Sequence, residues 1–297
     1  MDSKGYNFGS EPSAIAFKNV SMSFDGKPVL DQISFKARHG QMVIITGLSS
    51  SGKTVLLHLA IGLLHADEGQ ILINGWDIES LDESELLKLR SDSMGMVFQE
   101  DTLFTGMTVY DNAAYRLTER RWPEEEADRV VQEILRFVGL ENDMEKLPEE
   151  LSVGMRRRLE IARGLAGWPS VMLLDEPTSG LDPINSRQVL DLIIRARDIH
   201  RISMLYVTKE IHEIAYLSSH YAERDEAGVT RVLKGTAPRE CDLKVMVLDG
   251  GKVGFFGTPS EFESSALPVV SLLINPNAGM RFGNTYSPDP WRNLKRP

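Results

Sequence analysis

The residues best suited to chemistry form a glycine-bounded loop, Gly47-Leu48-Ser49-Ser50-Ser51-Gly52-Lys53-Thr54. The loop follows the apolar residues 42–45 and precedes a helical pattern that begins at Val55. Glycine permits backbone angles with which successive N–H groups surround a phosphate, and a helix N-terminus adds positive partial charge. In such a loop the lysine contacts the β- and γ-phosphates, and the final hydroxyl ligates Mg²⁺. The spacing therefore predicts a nucleotide site with Lys53 and Thr54 in those roles. The alternative is an ordinary Ser/Gly-rich connection.

An acidic pair follows a second apolar segment. Residues 171–174 are apolar throughout, and Asp175-Glu176-Pro177 comes directly after them. A strand that ends in two carboxylates, in a chain with a phosphate-binding loop, indicates the metal side of a nucleotide hydrolase. We expect Asp175 to hold Mg²⁺ through water and Glu176 to polarise the attacking water. The alternative is two solvated acids at a strand end.

Two further side chains belong near this site if the strands are parallel. Gln99 ends the predicted strand 94–98. Such a glutamine can ligate Mg²⁺ or orient water, and the alternative is that it is merely a polar strand terminus. Phe24 lies between two alternating segments ahead of the loop, next to the turn 25–28. An exposed aromatic residue there stacks on a base, whereas a buried one belongs to the core.

A second helix start carries Ser and Gly. Ser152 stands at the N-cap position of the helix that follows, with Val153, Gly154 and Met155 in its first turn. Ser and Gly at a helix start form another potential phosphate-binding end, and the alternative is an ordinary capped helix. The run Arg156-Arg157-Arg158 is expected to lie mostly on a solvated face.

The composition limits the functional class. The 297 residues carry a net charge of −10, which does not suggest a duplex nucleic-acid surface. The single cysteine, Cys241, excludes an internal disulfide and fits a reducing compartment. The polar start gives no sign of a signal peptide, and the apolar run 55–64 is far short of a membrane span. We expect a soluble protein that reaches a membrane only through another chain.

The remaining patterns predict the elements that position these residues. Strands are expected at 14–24, 29–36, 70–75 and 202–207, and helices at 80–90, 124–138, 184–200 and 211–217, with Pro123 in a first helical turn and Gly139 ending the helix. Residues 221–243 indicate an inserted loop or small hairpin, 244–256 a hairpin, and Thr258 the start of a further helix. Residues 1–13 and 275–297 are expected to be tails.

Together these stretches resemble the ATP-binding cassette ATPases over residues 15–262. The matched positions are Phe24 (aromatic loop), 47–54 (P-loop), Gln99 (Q-loop), 151–155 (signature), 171–176 (Walker B with the catalytic Glu) and Asp182 (D-loop). The resemblance implies an α/β fold, a RecA-like P-loop NTPase core with an antiparallel β subdomain and an inserted helical subdomain. It divides the chain into a tail (1–13), the first core part with the β subdomain (14–98), the helical subdomain with the signature (99–167), the second core part with a charged insert at 221–243 (168–262) and an extension (263–297).

The resemblance also implies a homodimer of ATPase subunits arranged head to tail. ATP would contact Phe24, Gly47, Leu48, Ser49, Ser50, Ser51, Gly52, Lys53, Thr54 and Val55 of one copy, and Ser152, Val153, Gly154 and Met155 of the other, with Asp182 in the D-loop. Thr54, Gln99 and Asp175 would surround Mg²⁺. Glu176 would be the water-polarising base, assisted by Lys53, Gln99 and the residue at position 209.

A closer likeness is to the ATPases of Mla/Mce-type lipid transport systems. It rests on residues 103–115 and on Gly154-Met155-Arg156-Arg157-Arg158. The partners implied are an integral-membrane permease, whose coupling helix the segment after Gln99 would receive, and a lipid-binding MCE-type protein. A small accessory subunit could bind the C-terminal tail, which could equally be disordered. The expected location is the cytoplasmic face of the inner membrane, through the permease, with no nucleic-acid partner.

Two positions depart from the cassette pattern. Lys209 stands where the family has its switch histidine, and His212, three residues later, is not expected to replace it. A lysine stem positions its charge less well than an imidazole, so we expect slow hydrolysis or activation by a partner. Val153 replaces the first signature glycine.

Three alternatives to lipid transport stay open. The first is the same machine moving another solute, such as an amino acid or a metal. The second is a soluble cassette ATPase that acts in DNA repair, translation or cluster assembly. The third is a nucleotide-binding structural subunit that hydrolyses little ATP. This alternative stays open because Lys209 stands at the position of the switch histidine.

Overall fold

The structure is a computed structural model that describes residues 13–235 and 243–274. The predicted tails 1–13 and 275–297 lie outside the described residues, apart from Ser13, and so does the accessory-subunit site expected on the second tail. Residues 236–242 of the charged insert also lie outside them.

Twelve strands occur in the described part of the chain. In chain order they are β1 (Ser13–Phe24), β2 (Lys27–Arg38), β3 (Met42–Gly47), β4 (Glu68–Ile73), β5 (Trp76–Asp77), β6 (Met94–Val97), β7 (Val171–Asp175), β8 (Ser203–Val207), β9 (His220–Arg224), β10 (Thr230–Lys234), β11 (Leu243–Asp249) and β12 (Lys252–Gly257).

The same ranges contain nine α-helices and two short 3₁₀ turns. The helices are α1 (Lys53–Ala60), α2 (Glu83–Ser93), α3 (Val109–Glu119), α4 (Glu124–Val138), α5 (Val153–Leu165), α6 (Pro183–His200), α7 (Ile211–Ser219), α8 (Pro259–Glu263) and α9 (Pro268–Ile274). The 3₁₀ turns are Ile78–Ser80 and Pro148–Glu150.

A six-stranded sheet forms the centre, in the order β12-β11-β3-β8-β7-β6. All neighbours are parallel except β12, which is antiparallel to β11. Every residue of β3, β7 and β8 is buried, as expected for parallel strands covered on both faces. Because β3, β7 and β8 run in the same direction, Gly47, Asp175 and Val207 end at one edge of the sheet. Ligands of open parallel sheets bind at this carboxyl edge.

An antiparallel sheet, β2-β1-β4-β5, packs beside the central sheet. The rings of Phe17 on β1 and Phe35 on β2 stack with centroids 4.9 Å apart. Both residues belong to a cluster that also contains Val43 of β3 and Leu56 of α1, so the two sheets share one core. This shared core holds the β1–β2 turn, and with it Phe24, beside the loop that follows β3.

Helices α3, α4 and α5 enclose a separate apolar cluster. On α4 the predicted buried face is present, since Val131, Ile134, Leu135 and Val138 are buried. Gly139 ends α4 with φ +69°, a left-handed conformation that glycine adopts without strain. Pro123 is the N-cap residue of α4 and does not lie in its first turn, so that detail of the prediction is wrong.

The predicted fold class, α/β with an antiparallel sheet and a helical layer, is confirmed. The segment for which a loop or hairpin was expected contains the hairpin β9–β10. Thr258 caps α8 as predicted, in a reciprocal capping box with Glu261. The following helix α9 was not predicted from the sequence. Among the described helices, none combines the length and apolar character needed to cross a lipid bilayer.

Candidate active site

The glycine-bounded loop connects the end of β3 to the start of α1. Gly47 has φ +147°, and a Cβ atom there would overlap the carbonyl oxygen of Leu248 on β11. Gly52 has φ +94°, and a Cβ atom there would lie 2.6 Å from Leu30 Cδ2 and 3.1 Å from the Val29 carbonyl oxygen. Both positions require glycine for conformation and for space, because β2 and β11 press on the loop from outside.

Lys53 points back across this loop. Its Nζ donates hydrogen bonds to the carbonyl oxygens of Gly47 at 3.0 Å and Leu48 at 2.8 Å. Burial lowers the pKa of Lys53, and the nearby carboxylates of Glu176 and Asp175 partly offset that effect. A buried ammonium held by neutral carbonyl groups binds an incoming anion strongly, since charge-assisted hydrogen bonds are about twice as strong as neutral ones.

Asp175 ends β7 and is 2% exposed. Burial raises its pKa, against a hydrogen bond from Thr54 that acts in the opposite direction. Its Oδ1 atom is buried without a hydrogen-bond partner among the described residues. An uncommitted carboxylate oxygen beside a hydroxyl suits Mg²⁺, which prefers oxygen ligands and retains waters and substrate phosphates. The described residues hold no group of three His, Cys, Asp or Glu side chains that could bind a metal alone. A Mg²⁺ held by Asp175 and Thr54 would therefore need phosphate oxygens as well.

Glu176 adopts φ +44°, a left-handed conformation that is uncommon for residues other than glycine. Its backbone N–H donates to the carbonyl oxygen of Val207 at 3.0 Å. Its Oε2 atom lies 3.0 Å from Nζ of Lys209. Glu176 raises the pKa of Lys209, so this lysine stays protonated at neutral pH. Strained backbone at a strand end of this kind is typical of functional sites.

These residues line a cleft of about 410 Å³. Its walls are Phe24, Val29, Ser49, Ser50, Ser51, Gly52, Lys53, Thr54, Val55, Gln99, Glu176 and Lys209. Phe24 is 43% exposed, so it is not a core residue and its ring is free to stack on a base. Gly47, Leu48 and Asp175 are not among the lining residues, but Gly47 and Leu48 contact Lys53, and Asp175 contacts Thr54.

The residues predicted to act on a second copy do not line this cleft. The Ser152 hydroxyl caps α5 by accepting a hydrogen bond from the backbone N–H of Met155 at 3.3 Å, and Val153 beside it is 54% exposed. A Cβ atom on Gly154 would overlap the side chain of Asn185 on α6. Asp182 caps α6 by accepting hydrogen bonds from the backbone of that helix. The signature and D-loop residues therefore meet each other through Gly154 and Asn185, apart from the phosphate loop of the same chain.

The expectation that the arginine run is mostly solvated is wrong. Arg157 is 8% exposed and donates to the carbonyl oxygens of Phe98 at 2.8 Å and Gln99 at 3.1 Å. Arg158 donates to the Val138 carbonyl at the C-terminal end of α4, and Arg156 to that of Leu151. The physical reason is that strand and helix ends leave carbonyl groups without partners, and guanidinium groups satisfy them.

Sequence reasoning therefore missed a positioning role for Arg157. The guanidinium also pairs with Glu160, 2.7 Å away, which is 3% exposed. An Arg and a Glu three residues apart on one helix were the available signal. Through this pair, α5 fixes the backbone that carries Gln99.

A parallel sheet with a phosphate-binding loop and a carboxylate pair at its carboxyl edge, joined to a helical layer, defines a nucleotide-binding cassette. Residues 30–179, about half of the chain, match the family model described as ABC transporter, and the chain belongs to that family.

Curated relatives carry the name methionine import ATP-binding protein MetN. The protein from Carboxydothermus hydrogenoformans is 35% identical over 218 residues, which are 72% of this chain and 64% of the relative. That from Corynebacterium jeikeium is 38% identical over 214 residues, 71% of this chain and 58% of the relative. The chain thus spans about three-fifths of the length of these relatives. Their names do not support the predicted likeness to lipid transport ATPases.

Solved structures of cassettes superimpose on the whole core. A dimeric, post-hydrolysis structure of the ATP-binding cassette MJ0796 with ADP and Pi has a TM-score of 0.68 at 25% identity, over 82% of this chain and 98% of that one. CbiO1 from Clostridium perfringens is part of the ABC transporter complex cbiONQ. It has a TM-score of 0.72 at 25% identity, over 91% of this chain and 99% of that one.

The Arg157–Glu160 pair generates a stability prediction. Replacing Arg157 by Met leaves Glu160 buried without its cation, so we expect the free energy of unfolding at pH 7 to fall by about 3–5 kcal/mol. Burial already raises the pKa of Glu160 despite Arg157, and the variant raises it further. Because a protonated Glu160 needs no cation, the deficit against wild type should shrink as the pH falls through that raised pKa. Urea unfolding of both proteins at several pH values measures this difference in the free energy of unfolding.

The double variant Arg157→Met/Glu160→Gln is the matched control for this measurement. It removes both charges, so it should be more stable than Arg157→Met at pH 7, with a deficit that is nearly independent of pH. A deficit of Arg157→Met that is constant with pH, or a double variant that is less stable still, would contradict the buried pair.

Proposed function

We propose that this chain is the ATP-binding and ATP-hydrolysing subunit of an ABC transporter whose cargo is a solute other than lipid. One observation carries the proposal: Lys53, Asp175 and Glu176 converge at the carboxyl edge of the parallel sheet, next to an open cleft with an exposed aromatic residue at its rim. This arrangement supplies phosphate contacts, a metal-ligating carboxylate and a base. Membership of the family supports the same assignment.

The proposed reaction follows from the positions of these groups. The base of ATP stacks on Phe24, and its phosphates contact Lys53 and the N–H groups of the loop. Mg²⁺ held by Thr54 and Asp175 would neutralise charge on the phosphate oxygens. The Glu176 carboxylate accepts a proton from the water that attacks the γ-phosphorus, and ADP leaves. Gln99 lines the same cleft and orients that water.

Lys209 places a positive charge at a position where the family has a histidine, which is mostly neutral near pH 7. Its ammonium is paired with Glu176, 3.0 Å away. While the pair persists, Oε2 of Glu176 is engaged by the ammonium of Lys209 and is not free to accept a proton from water. The γ-phosphate competes for Lys209, and its arrival releases Glu176 to act on water. This exchange supports the slow hydrolysis expected from the sequence.

We propose that two copies complete the site. At the N-terminus of α5, Ser152 and Val153 are exposed and do not line the cleft of their own chain, as residues that serve a second copy require, whereas Gly154 is buried. The MJ0796 cassette is described as dimeric. In a head-to-tail dimer, α5 of one copy adds its N-terminal N–H groups to the γ-phosphate held by the other.

The cargo and the membrane partner are proposals from the relatives. Their name makes methionine the first candidate for the solute, in place of lipid, and an MCE-type partner has no support in these names. CbiO1 is described as part of a transporter complex, which supports an integral-membrane permease as partner. The subunit then lies on the cytoplasmic face of the membrane through that permease. The net charge of −10 agrees with the absence of a nucleic-acid partner.

Hydrolysis by the full-length chain is the first test. Glu176→Gln removes the base and keeps the fold, so we expect kcat to fall by at least about 100-fold while ATP still binds. Lys53→Met should abolish ATP binding itself. Lys88→Met, a lysine on α2 outside the cleft, is the control and should leave both unchanged. ATPase assays and fluorescent ATP binding distinguish these outcomes. A Glu176→Gln variant with wild-type turnover would exclude the proposed base.

Lys209 is tested by the histidine that the family resemblance expects. A histidine is mostly neutral near pH 7, so it donates to the γ-phosphate without neutralising Glu176. We expect Lys209→His to raise kcat by about tenfold or more in the assembled complex. Lys209→Met, which removes both donor and charge, is the matched comparison. Unchanged turnover in Lys209→His would show that Lys209 does not limit hydrolysis.

The cargo is tested on the complex that the chain forms in its own cells. We expect a tagged copy, purified from detergent-solubilised membranes, to bring down a permease, and the complex in proteoliposomes to take up labelled methionine with ATP. The Glu176→Gln complex is the control and should take up none. Purification with a lipid-binding MCE-type protein and transfer of labelled phospholipid would restore the lipid alternative. Soluble partners alone would refute the transporter assignment.

A further inference from the structure

Glu213 on α7 is a buried carboxylate outside the predicted site. It is 1% exposed and accepts hydrogen bonds from three hydroxyl groups. The Thr178 hydroxyl donates to Oε1. The Tyr206 hydroxyl donates to Oε2 at 2.7 Å, and the Thr208 hydroxyl donates to the same atom at 2.6 Å.

Two of these donors lie beside the groups that act on substrate. Thr178 comes two residues after Glu176, whose carbonyl oxygen accepts a hydrogen bond from the N–H of Ser179 at 3.0 Å. Thr208 immediately precedes Lys209, and its hydroxyl oxygen also accepts the N–H of Glu210 at 3.0 Å. The carboxylate of Glu213 therefore joins the two turns that carry the Glu176–Lys209 ion pair.

The turn after Glu176 is held by the backbone hydrogen bond from Glu176 to Val207 and by the buried residues Pro177 and Thr178, but one side of it borders open space. A cavity of about 610 Å³ borders it, lined by residues 178–181 and by Thr208, Lys209 and Glu213, among others. On the side of the cavity no side chains pack against the turn, so the hydrogen bond from Thr178 to Glu213 adds to the contacts that fix its position. Hydrogen bonds to a charged acceptor at a buried site are stronger than hydrogen bonds between neutral groups.

The chemistry of Glu213 is poorly suited to a purely structural core residue. A buried carboxylate is expensive to desolvate, and an apolar residue of similar size would fill the same volume without that cost. Its effect on its surroundings is visible in Tyr206, where burial and the Glu213 charge raise the pKa well above its ordinary value. The carboxylate has a function only if the three hydroxyl groups must be held at fixed positions.

We propose that Glu213 is a positioning residue that fixes Glu176 and Lys209 relative to each other through Thr178 and Thr208. The inference rests on the ATPase function proposed above. In this arrangement the carboxylate sets the separation between the base and the cation that releases it. Loss of one hydroxyl lets the turn after Glu176 move, and a displacement of about 1 Å at a reacting group can cost on the order of 100-fold in rate.

Thr178 offers the sharpest test, because Glu213→Ala leaves a large polar cavity and can simply fail to fold. Thr178→Val removes the hydroxyl at nearly constant volume, whereas Thr178→Ser keeps it. In the full-length chain we expect Thr178→Val to lower kcat by about 10- to 100-fold, with KM for ATP changed less than about twofold. Thr178→Ser should restore kcat to within about threefold of wild type. A further control is Tyr216→Phe, which removes a hydroxyl on α7 that donates to Asp191 on α6 and should leave kcat unchanged.

Hydrogen–deuterium exchange on the nucleotide-free chain gives a readout that does not need hydrolysis. In Thr178→Val we expect faster exchange of the amides in 176–181 and 208–210, and unchanged exchange in the phosphate loop 47–54. Faster exchange throughout, or an equal effect of Thr178→Ser, would show a general loss of structure and overturn the proposal. So would wild-type kcat in Thr178→Val. Failure of the ATPase function itself is separate, since it appears as absent hydrolysis in wild type.

Discussion

The parallel register of β3, β7 and β8 is the constraint on which the site depends. Backbone hydrogen bonds continue this pairing one residue beyond the ends of β7 and β8. The N–H of Glu176 donates to the Val207 carbonyl at 3.0 Å, and the N–H of Thr208 donates to the Ile45 carbonyl at 3.0 Å. The backbones of Glu176 and of Thr208, the residue before Lys209, are thus held by the sheet. Burial lowers the pKa of Lys53 and raises that of Asp175, so the sheet holds both charges where water solvates them poorly. A bound nucleotide and its metal would compensate both.

Helix α5 connects this edge to the helical layer. Glu160 accepts the backbone N–H of Thr102 at 3.0 Å, and Arg163 donates to the Thr102 carbonyl at 2.6 Å. The guanidinium of Arg163 also lies over the ring of Phe104, 5.2 Å from its centroid, and that ring packs on Tyr115. A continuous set of contacts therefore runs from an exposed aromatic pair to the backbone of Gln99. The ionic contact at the centre of this set, between Arg157 and Glu160, is buried, so solvent screens it little.

Local patterns in the sequence predicted the parts of the structure that depend on neighbours in the chain. The phosphate loop, the acidic pair, the apolar face of α4 and the cap of α8 each need only a few consecutive residues. Glu213 was not recognised, because its partner Thr178 lies 35 residues away and no local spacing reports it. The arginine run was misjudged since a solvated guanidinium and one bound to a distant carbonyl have the same sequence pattern. The predicted likeness to lipid transport ATPases rested partly on the same arginine run. Because Arg157 and Arg158 bind carbonyls of this chain, their presence is explained by the fold and does not indicate the cargo.

The ion pair between Glu176 and Lys209 changes the charge balance that the family pattern leads one to expect. Counted at their formal charges, Lys53 and Lys209 balance Asp175 and Glu176, so the four side chains sum to zero. A neutral imidazole at position 209 would leave that sum at −1. Since ATP brings several negative charges, the proposed mechanism has Lys209 favour ATP binding at the same time as it occupies Glu176. The Lys209 side chain is 53% exposed, so solvent screens the pair and its hold on Glu176 is loose enough for a phosphate to displace it. In the proposed mechanism, tight substrate binding and a base released only by that substrate are two effects of one substitution.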